Sequence, residues 1–122
     1  MKISIGSDGG KTCQFMLSGE LSKNVLKPEL ILAFDKLHGR PTKMRLDGLQ
    51  YMIQEKGGFK IWWKMLDGSY ELLVVLESRG GFDFEKIYPI SSPSGAIGLS
   101  FTTFKFTDTD MSFVIMMDFS KQ

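Results

Sequence analysis

The sequence predicts an antiparallel β-sandwich or open barrel with one short helix, and three observations carry that prediction. Apolar and polar residues alternate over several segments, most clearly where Phe113, Ile115, Met117 and Phe119 fall on one side. Glycines sit in tight-turn contexts at Asp8-Gly9-Gly10, Gly57-Gly58, Asp67-Gly68 and Gly80-Gly81. One stretch, from Pro28 to Leu37, spaces its apolar residues as a helix does. The 122 residues fit a single domain spanning 1–122. With 43% hydrophobic and 24% charged residues, the chain has the balance of a packed globular protein rather than a disordered one.

Taken in order, the first strands are expected at Lys2–Ile5 and Thr12–Leu17, joined by the turn Ser7-Asp8-Gly9-Gly10. Leu30, Ala33, Phe34 and Leu37 then form a helical stripe, with Pro28 suited to the first helical position, Gly39 to the end and Pro41 beyond it. This spacing predicts a helix over 28–38 that covers part of a sheet. A strand follows at Lys43–Gln50, and further strands at Phe82–Tyr88, Ala96–Phe106 and Ser112–Phe119. The segment Pro89–Gly95, with Ser91, Ser92, Pro93 and Ser94, reads as a loop and the least ordered internal stretch.

The best hairpin joins Phe59–Leu66 to Ser69–Ser78, because a two-residue Asp67-Gly68 loop suits a type I′ turn and fixes the register. That register sets Met65 opposite Tyr70, Trp63 opposite Leu72, Ile61 opposite Val74 and Phe59 opposite Leu76, an apolar face that belongs in a core. The other face carries Lys64 beside Glu71, Trp62 beside Leu73 and Lys60 beside Val75. Continued backwards through a Gly57-Gly58 loop, it places Glu55 across from Lys60, Ile53 across from Trp62 and Tyr51 across from Lys64. The result is a three-stranded meander whose outer face has an apolar centre of Ile53, Trp62 and Leu73 ringed by paired charges. Such a face implies a cover, either the chain's own helix or a partner. The candidate interface is therefore Tyr51, Ile53, Lys60, Trp62, Lys64 and Leu73, with Trp62 as anchor.

Fifteen basic and fourteen acidic residues give a net charge of +1, too near neutral for bulk attraction to nucleic acid or an anionic membrane. Residues 1–64 carry eleven basic and six acidic side chains and residues 65–122 carry four and eight, so the halves differ by sign. Segregated at opposite ends of the fold, they would let copies stack head-to-tail. Interleaved by antiparallel pairing, they would cancel. The alternation Lys60-Ile61-Trp62-Trp63-Lys64 suits single-stranded nucleic acid. The inferred register argues against that use, because it sets Glu55 and Glu71 against the lysines and points Trp63 inward. The longest apolar run, Leu72–Leu76, is far short of the roughly 20 residues that a membrane helix needs. A lone Cys13 cannot form an internal disulfide, and the N-terminus lacks a signal pattern, so a cytoplasmic site of folding is expected.

Catalytic motifs do not assemble in this reading. Gly6-Ser7-Asp8-Gly9-Gly10-Lys11-Thr12 ends like a phosphate-binding loop, but Ile5 stands where the motif needs its first glycine. Leu30–Asp35 imitates the apolar run and aspartate of a nucleotide fold without the parallel strands around it. His38 is placed at the helix end, where a cation suits the dipole. Cys13 reads as a buried small hydrophobe, with a Cys13–His38 nucleophile pair as the alternative. Asp108 and Asp110 lie in a turn that lacks the glycine and glutamate of a calcium loop. Met111, Met116 and Met117 fill a core or, alternatively, form an adaptable surface. No catalytic residue, cofactor or metal ligand is assigned.

The stretch Lys43-Met44-Arg45-Leu46-Asp47, then Gln54-Glu55-Lys56-Gly57-Gly58, Trp62-Trp63 and Glu77-Ser78-Arg79-Gly80-Gly81 resembles small β-rich proteins encoded among tailed-phage structural genes. The resemblance implies a non-enzymatic virion component of the capsid decoration or cement kind. Such a protein would be made in the host cytoplasm and work through contacts with its own copies or with a major capsid protein. The alternative is a β-sheet binding module for a small ligand or single-stranded nucleic acid.

Overall fold

Two antiparallel sheets pack face to face in the computed structural model, which describes residues 2–21, 23–54, 56–78, 89–106 and 111–122. The first sheet contains β1 (Lys2–Asp8), β2 (Thr12–Leu21), β4 (Met44–Ile53), β7 (Ile90–Ser91) and β9 (Met111–Lys121). Their order is β1-β2-β9-β4-β7. The second contains β3 (Glu29–Ala33), β5 (Gly57–Met65), β6 (Tyr70–Ser78) and β8 (Ala96–Phe104), in the order β3-β8-β5-β6. The expected sandwich is what forms, and its strands interleave the two halves of the chain. Among the described residues, every pairing except β1 with β2 joins an early strand to a late one. Among the described residues, strands from the two halves of the chain therefore lie side by side in both sheets.

Alternation decides which side chains meet between the sheets. Phe15 and Leu17 of β2, Tyr51 and Ile53 of β4, and Phe113, Ile115, Met117 and Phe119 of β9 point inward from the first sheet. Phe59, Ile61, Trp63, Leu76, Leu99 and Phe101 meet them from the second. Phe59 is the centre of this contact, with ring centroids 4.7 Å from Phe113, 5.8 Å from Phe106 and 5.9 Å from Phe101. In β4 the inward parity changes from Leu46 to Leu49, because Asp47 is an extra residue between the pairs Leu46–Phe119 and Gly48–Asp118.

The helix expected over 28–38 does not form. Residues 29–33 are strand β3, paired with β8, and only Phe34–Lys36 make a single 3-10 turn. Leu30 and Phe34 do fit a helical stripe, but so short a helix has little stability of its own, and pairing with β8 also buries Ile31 and Leu32. His38 consequently has no helix end to cap. Its N–H donates to Asp8 Oδ2 (2.8 Å) and its carbonyl accepts from Lys121 Nζ (2.8 Å). Lys121 also donates to Asp8 Oδ1 (2.5 Å) and to the Gly9 carbonyl, stapling the β1–β2 turn, the 37–40 loop and the end of β9 together. The Gly6–Thr12 stretch is the hairpin turn expected of it, closed by Gly9 N–H donating to the Thr12 carbonyl (2.9 Å).

The β5–β6 hairpin forms with a different turn. Met65 N–H donates to the Ser69 carbonyl (2.9 Å) and Gly68 N–H to the Met65 carbonyl (3.0 Å), so three residues, Leu66-Asp67-Gly68, make the loop. Gly68 has φ of 89° while Asp67 stays at negative φ, which excludes the type I′ turn. The shift is undone at Leu73, an extra residue in β6. The predicted pairs Phe59–Leu76 and Ile61–Val74 therefore hold, whereas Trp62 faces Leu72, Trp63 faces Glu71 and Lys64 faces Tyr70.

Gly57-Gly58 is not a turn, and β4 does not pair with β5. β4 ends at Ile53 in one sheet, and the two glycines open β5 in the other. A Cβ at Gly57 would overlap the Phe106 ring, and one at Gly58 would overlap the Phe104 ring and approach the Leu76 carbonyl oxygen to 2.5 Å. Phe104 and Phe106 would share a side in a regular strand. Lys105, at φ of 62°, turns the chain so that Phe106 goes into the core and Phe104 lies on the outer face. The segment expected as a loop at Pro89–Gly95 contains the short strand β7, and Ser92 N–H donates to the Met44 carbonyl (2.7 Å). The strand read at Phe82–Tyr88, the turn with Asp108 and Asp110, and Glu55 lie outside the described residues.

Candidate functional site

The outer face of the four-stranded sheet follows from the alternation in β5. Phe59, Ile61, Trp63 and Met65 are buried, so Lys60, Trp62 and Lys64 point the other way and are half-buried. Their cross-strand neighbours on β6 are Val75, Leu72 and Tyr70, and on β8 they are Thr102, Ser100 and Gly98. Leu30 of β3 pairs with Ser100, so one row runs Leu30, Ser100, Trp62, Leu72 across all four strands. The aliphatic members of this face are markedly exposed, at 49% for Leu30, 49% for Leu72 and 43% for Val75.

Trp62 is held in place. Its Nε1–H donates to Thr102 Oγ1 at 3.0 Å, which directs the indole from β5 towards β8. Ser100, beside it, is 1% exposed and its hydroxyl has no hydrogen-bond partner. A fixed aromatic ring with a satisfied N–H loses little freedom when something packs on it, which is what an interface anchor needs.

Two lysines lie over the Phe104 ring. Lys60 Nζ lies 5.6 Å from the centroid of Phe104, and Lys105 Nζ lies 5.9 Å from it. Lys105 pairs with Glu77 at 3.3 Å, whereas no carboxylate of the described residues lies within ion-pair distance of Lys60 or Lys64.

The structure keeps half of the candidate set together. Lys60, Trp62 and Lys64 share the outer face as expected, and Trp63 is in the core at 2% exposure. Ile53 and Tyr51 are not on this face. They belong to the other sheet, buried at 0% and 3%, with Tyr51 Oη donating to the Glu77 carbonyl at 3.3 Å. Leu73 is turned inward by the bulge and is 7% exposed. Glu71 is opposite Trp63 rather than beside Lys64, so the predicted neutralisation of that lysine does not occur. Nor do the described residues supply the expected helical cover, since the segment meant to provide it is β3 at the edge of the same sheet. Leu30, Tyr70, Leu72, Val75, Thr102 and Phe104 complete the face instead. Pairing of β5 with β8 spans about forty residues, and no local turn announces it; the alternation in β8 was the one available signal.

Groups with chemical reactivity lie elsewhere and are engaged. Burial pushes the Cys13 thiol up to about 11, so it stays protonated and is the small buried hydrophobe expected. Ser120 Oγ–H donates to Asp47 Oδ2, and Arg45 Nε donates to Asp47 Oδ1 at 2.5 Å. Partial burial of Asp47 raises its pKa, but these two hydrogen bonds outweigh that and hold the carboxyl below its ordinary 3.8, which makes it a poor acceptor for the serine proton. Met117 is core, and Met116 is half-buried on the outer face of the five-stranded sheet. Among the described residues no three His, Cys, Asp or Glu side chains are grouped so as to hold a metal ion, and no helix is long and apolar enough to cross a membrane.

The fold and this face together define a two-sheet antiparallel β-sandwich presenting an aromatic, aliphatic and cationic surface on one side. No family model matches the chain, and no curated protein is detectably similar to it in sequence.

Proposed function

We propose that this protein works by contact rather than catalysis, as a structural or assembly component whose docking surface is the outer face of the β3-β8-β5-β6 sheet. The row Leu30, Ser100, Trp62, Leu72 carries the reading: it puts a fixed tryptophan between exposed aliphatic side chains across a whole sheet. Covering such a row removes apolar area worth roughly 25 cal/mol per Å², less the entropy of association. The phage-like turn-and-tryptophan pattern supports a virion component of the decoration or cement kind, meeting either its own copies or a shell protein. Many copies on one shell would make a weak single contact sufficient.

Light scattering behind size exclusion, over a range of protein concentration and at low and high salt, tests the reading. The wild-type mass is expected to rise with concentration, and Trp62→Ala to remain monomeric with its circular dichroism unchanged. Equal assembly by the variant would remove Trp62 as anchor.

Single-stranded nucleic acid is the rival occupant, favoured by one observation: Lys60 and Lys64 flank Trp62, and Lys64 faces Tyr70 rather than Glu71. A monomer that is retained on an immobilised oligo(dT) column and eluted by salt would replace the assembly reading with this one. A monomer that is not retained would overturn both self-association and nucleic-acid binding.

A further inference from the structure

A cleft of about 470 Å³ lies at the other end of the sandwich, between the 33–42 segment, the tip of the β5–β6 hairpin and the start of β8. Its walls are mainly apolar, including Phe34, Pro41, Leu66, Ala96 and Ile97. Phe34 is buried, its ring set edge-on against Trp63 at 6.2 Å, so this wall is backed by the core. Leu66 and Ile97, in contrast, are 76% and 38% exposed. The volume and the apolar lining are those of a small-molecule site.

Arg40 is the polar group that gives the cleft a preference. It has φ of 44°, a left-handed conformation that a non-glycine residue rarely adopts, and Pro41 follows it. The surrounding bonds enforce that geometry. Arg40 N–H donates to the Leu37 carbonyl (3.0 Å), His38 N–H to Asp8, and Lys121 to the His38 carbonyl, so the loop is pinned from behind. Arg40 itself has no carboxylate of the described residues within ion-pair distance. A strained residue held by its surroundings, carrying an unpaired cation and lining an apolar cleft, points to a ligand rather than to packing.

We infer that this cleft binds a small apolar molecule carrying one carboxylate, with the hydrocarbon against Phe34, Leu66 and Ile97 and the carboxylate on Arg40. Guanidinium and carboxylate match in a bidentate pair. With one guanidinium and the acidic Asp35 both in the lining, a single negative charge suits the cleft better than two. The site is separate from the outer face of the sheet and does not depend on the assembly reading.

Octanoate and 1-octanol, titrated into the whole protein and followed by amide shifts in NMR, test the inference. Shifts are expected at Arg40, Gly95 and Ile97, with octanoate binding at least tenfold more tightly than the alcohol. Arg40→Gly, which suits the left-handed backbone and so keeps or raises the melting temperature, is expected to abolish that preference. Arg40→Gln, which retains the aliphatic stem, should do the same if the glycine variant fails to fold. Leu66→Ser should weaken both probes. Shifts confined to another surface, equal binding of acid and alcohol by the wild type, or an undiminished preference in both Arg40 variants would each overturn the proposal.

Discussion

The outer faces of the two sheets are built from the same strand geometry and differ in how their charged groups are paired. On the five-stranded sheet, Gln14 donates to Asp118 at 2.8 Å, and Asp47 is held between Arg45 and Ser120. Each of these carboxylates has found a neighbour one strand away. On the four-stranded sheet, Lys60 and Lys64 face Val75, Tyr70, Thr102 and Gly98, none of which is an acid. The difference teaches that a sheet face takes its charge balance from cross-strand neighbours, and those depend on which strands pair and in which register. A single extra residue at Leu73 is enough to separate Glu71 from Lys64.

The largest expected effect comes from the glycine that lets an aromatic ring lie on the second face. Gly58→Ala would force its Cβ into both the Phe104 ring and the backbone oxygen of Leu76. Overpacking of this kind costs about 1–3 kcal/mol, and the contact with backbone places Gly58→Ala at the upper end. Urea denaturation is expected to show the lower midpoint, and an unchanged midpoint would mean that Phe104 is not fixed on this face.

Acid should weaken the carboxylate contacts of the five-stranded sheet. The Lys121 hydrogen bond lowers the Asp8 pKa, with the His38 N–H adding to it; at Asp47, hydrogen bonds from Ser120 and Arg45 outweigh desolvation. Both carboxyls thus stay below their ordinary 3.8 in the folded chain. A group with a depressed folded pKa stabilises above its unfolded value and loses that contribution as pH falls through the folded one. The melting temperature is therefore expected to drop as pH falls below about 4. Asp47→Asn and Asp8→Asn should show a shallower drop, and Trp62→Ala should keep the wild-type slope. Identical slopes in all four proteins would remove these pairs as the acid-sensitive contacts.

The smallest effect is a gain. Ser100 is buried on the aromatic face with an unpartnered hydroxyl, so Ser100→Ala is expected to raise stability by about 1 kcal/mol. A loss in thermal melts would show that the hydroxyl has a partner.

Much of the fold was legible from local pattern. The strands at Thr12–Leu17 and Ser112–Phe119 follow from alternation alone, and the pairs Phe59–Leu76 and Ile61–Val74 follow from alternation and a nearby turn. The candidate face was legible only along β5, where alternation separates Trp62 from Trp63. Tyr51 and Ile53 were misplaced because Gly57-Gly58 looks the same whether it makes a turn or admits two phenylalanine rings. The helix over 28–38 was misread because Leu30, Ala33, Phe34 and Leu37 satisfy a helical period while the same segment gains more by pairing with β8.

By itself, then, the sequence determined the class of fold, the inward side of each well-patterned strand and the orientation of Trp62 away from the core. These are properties of neighbours in the chain, governed by the two-residue repeat of an extended backbone. Only the tertiary structure decided that β5 lies between β6 and β8, that Leu30 and Phe104 join Trp62, and that the lysines beside it face Val75, Tyr70, Thr102 and Gly98 across the neighbouring strands. Those outcomes depend on strand pairings between distant segments and on single-residue bulges, and burial of the whole core selects among them at once.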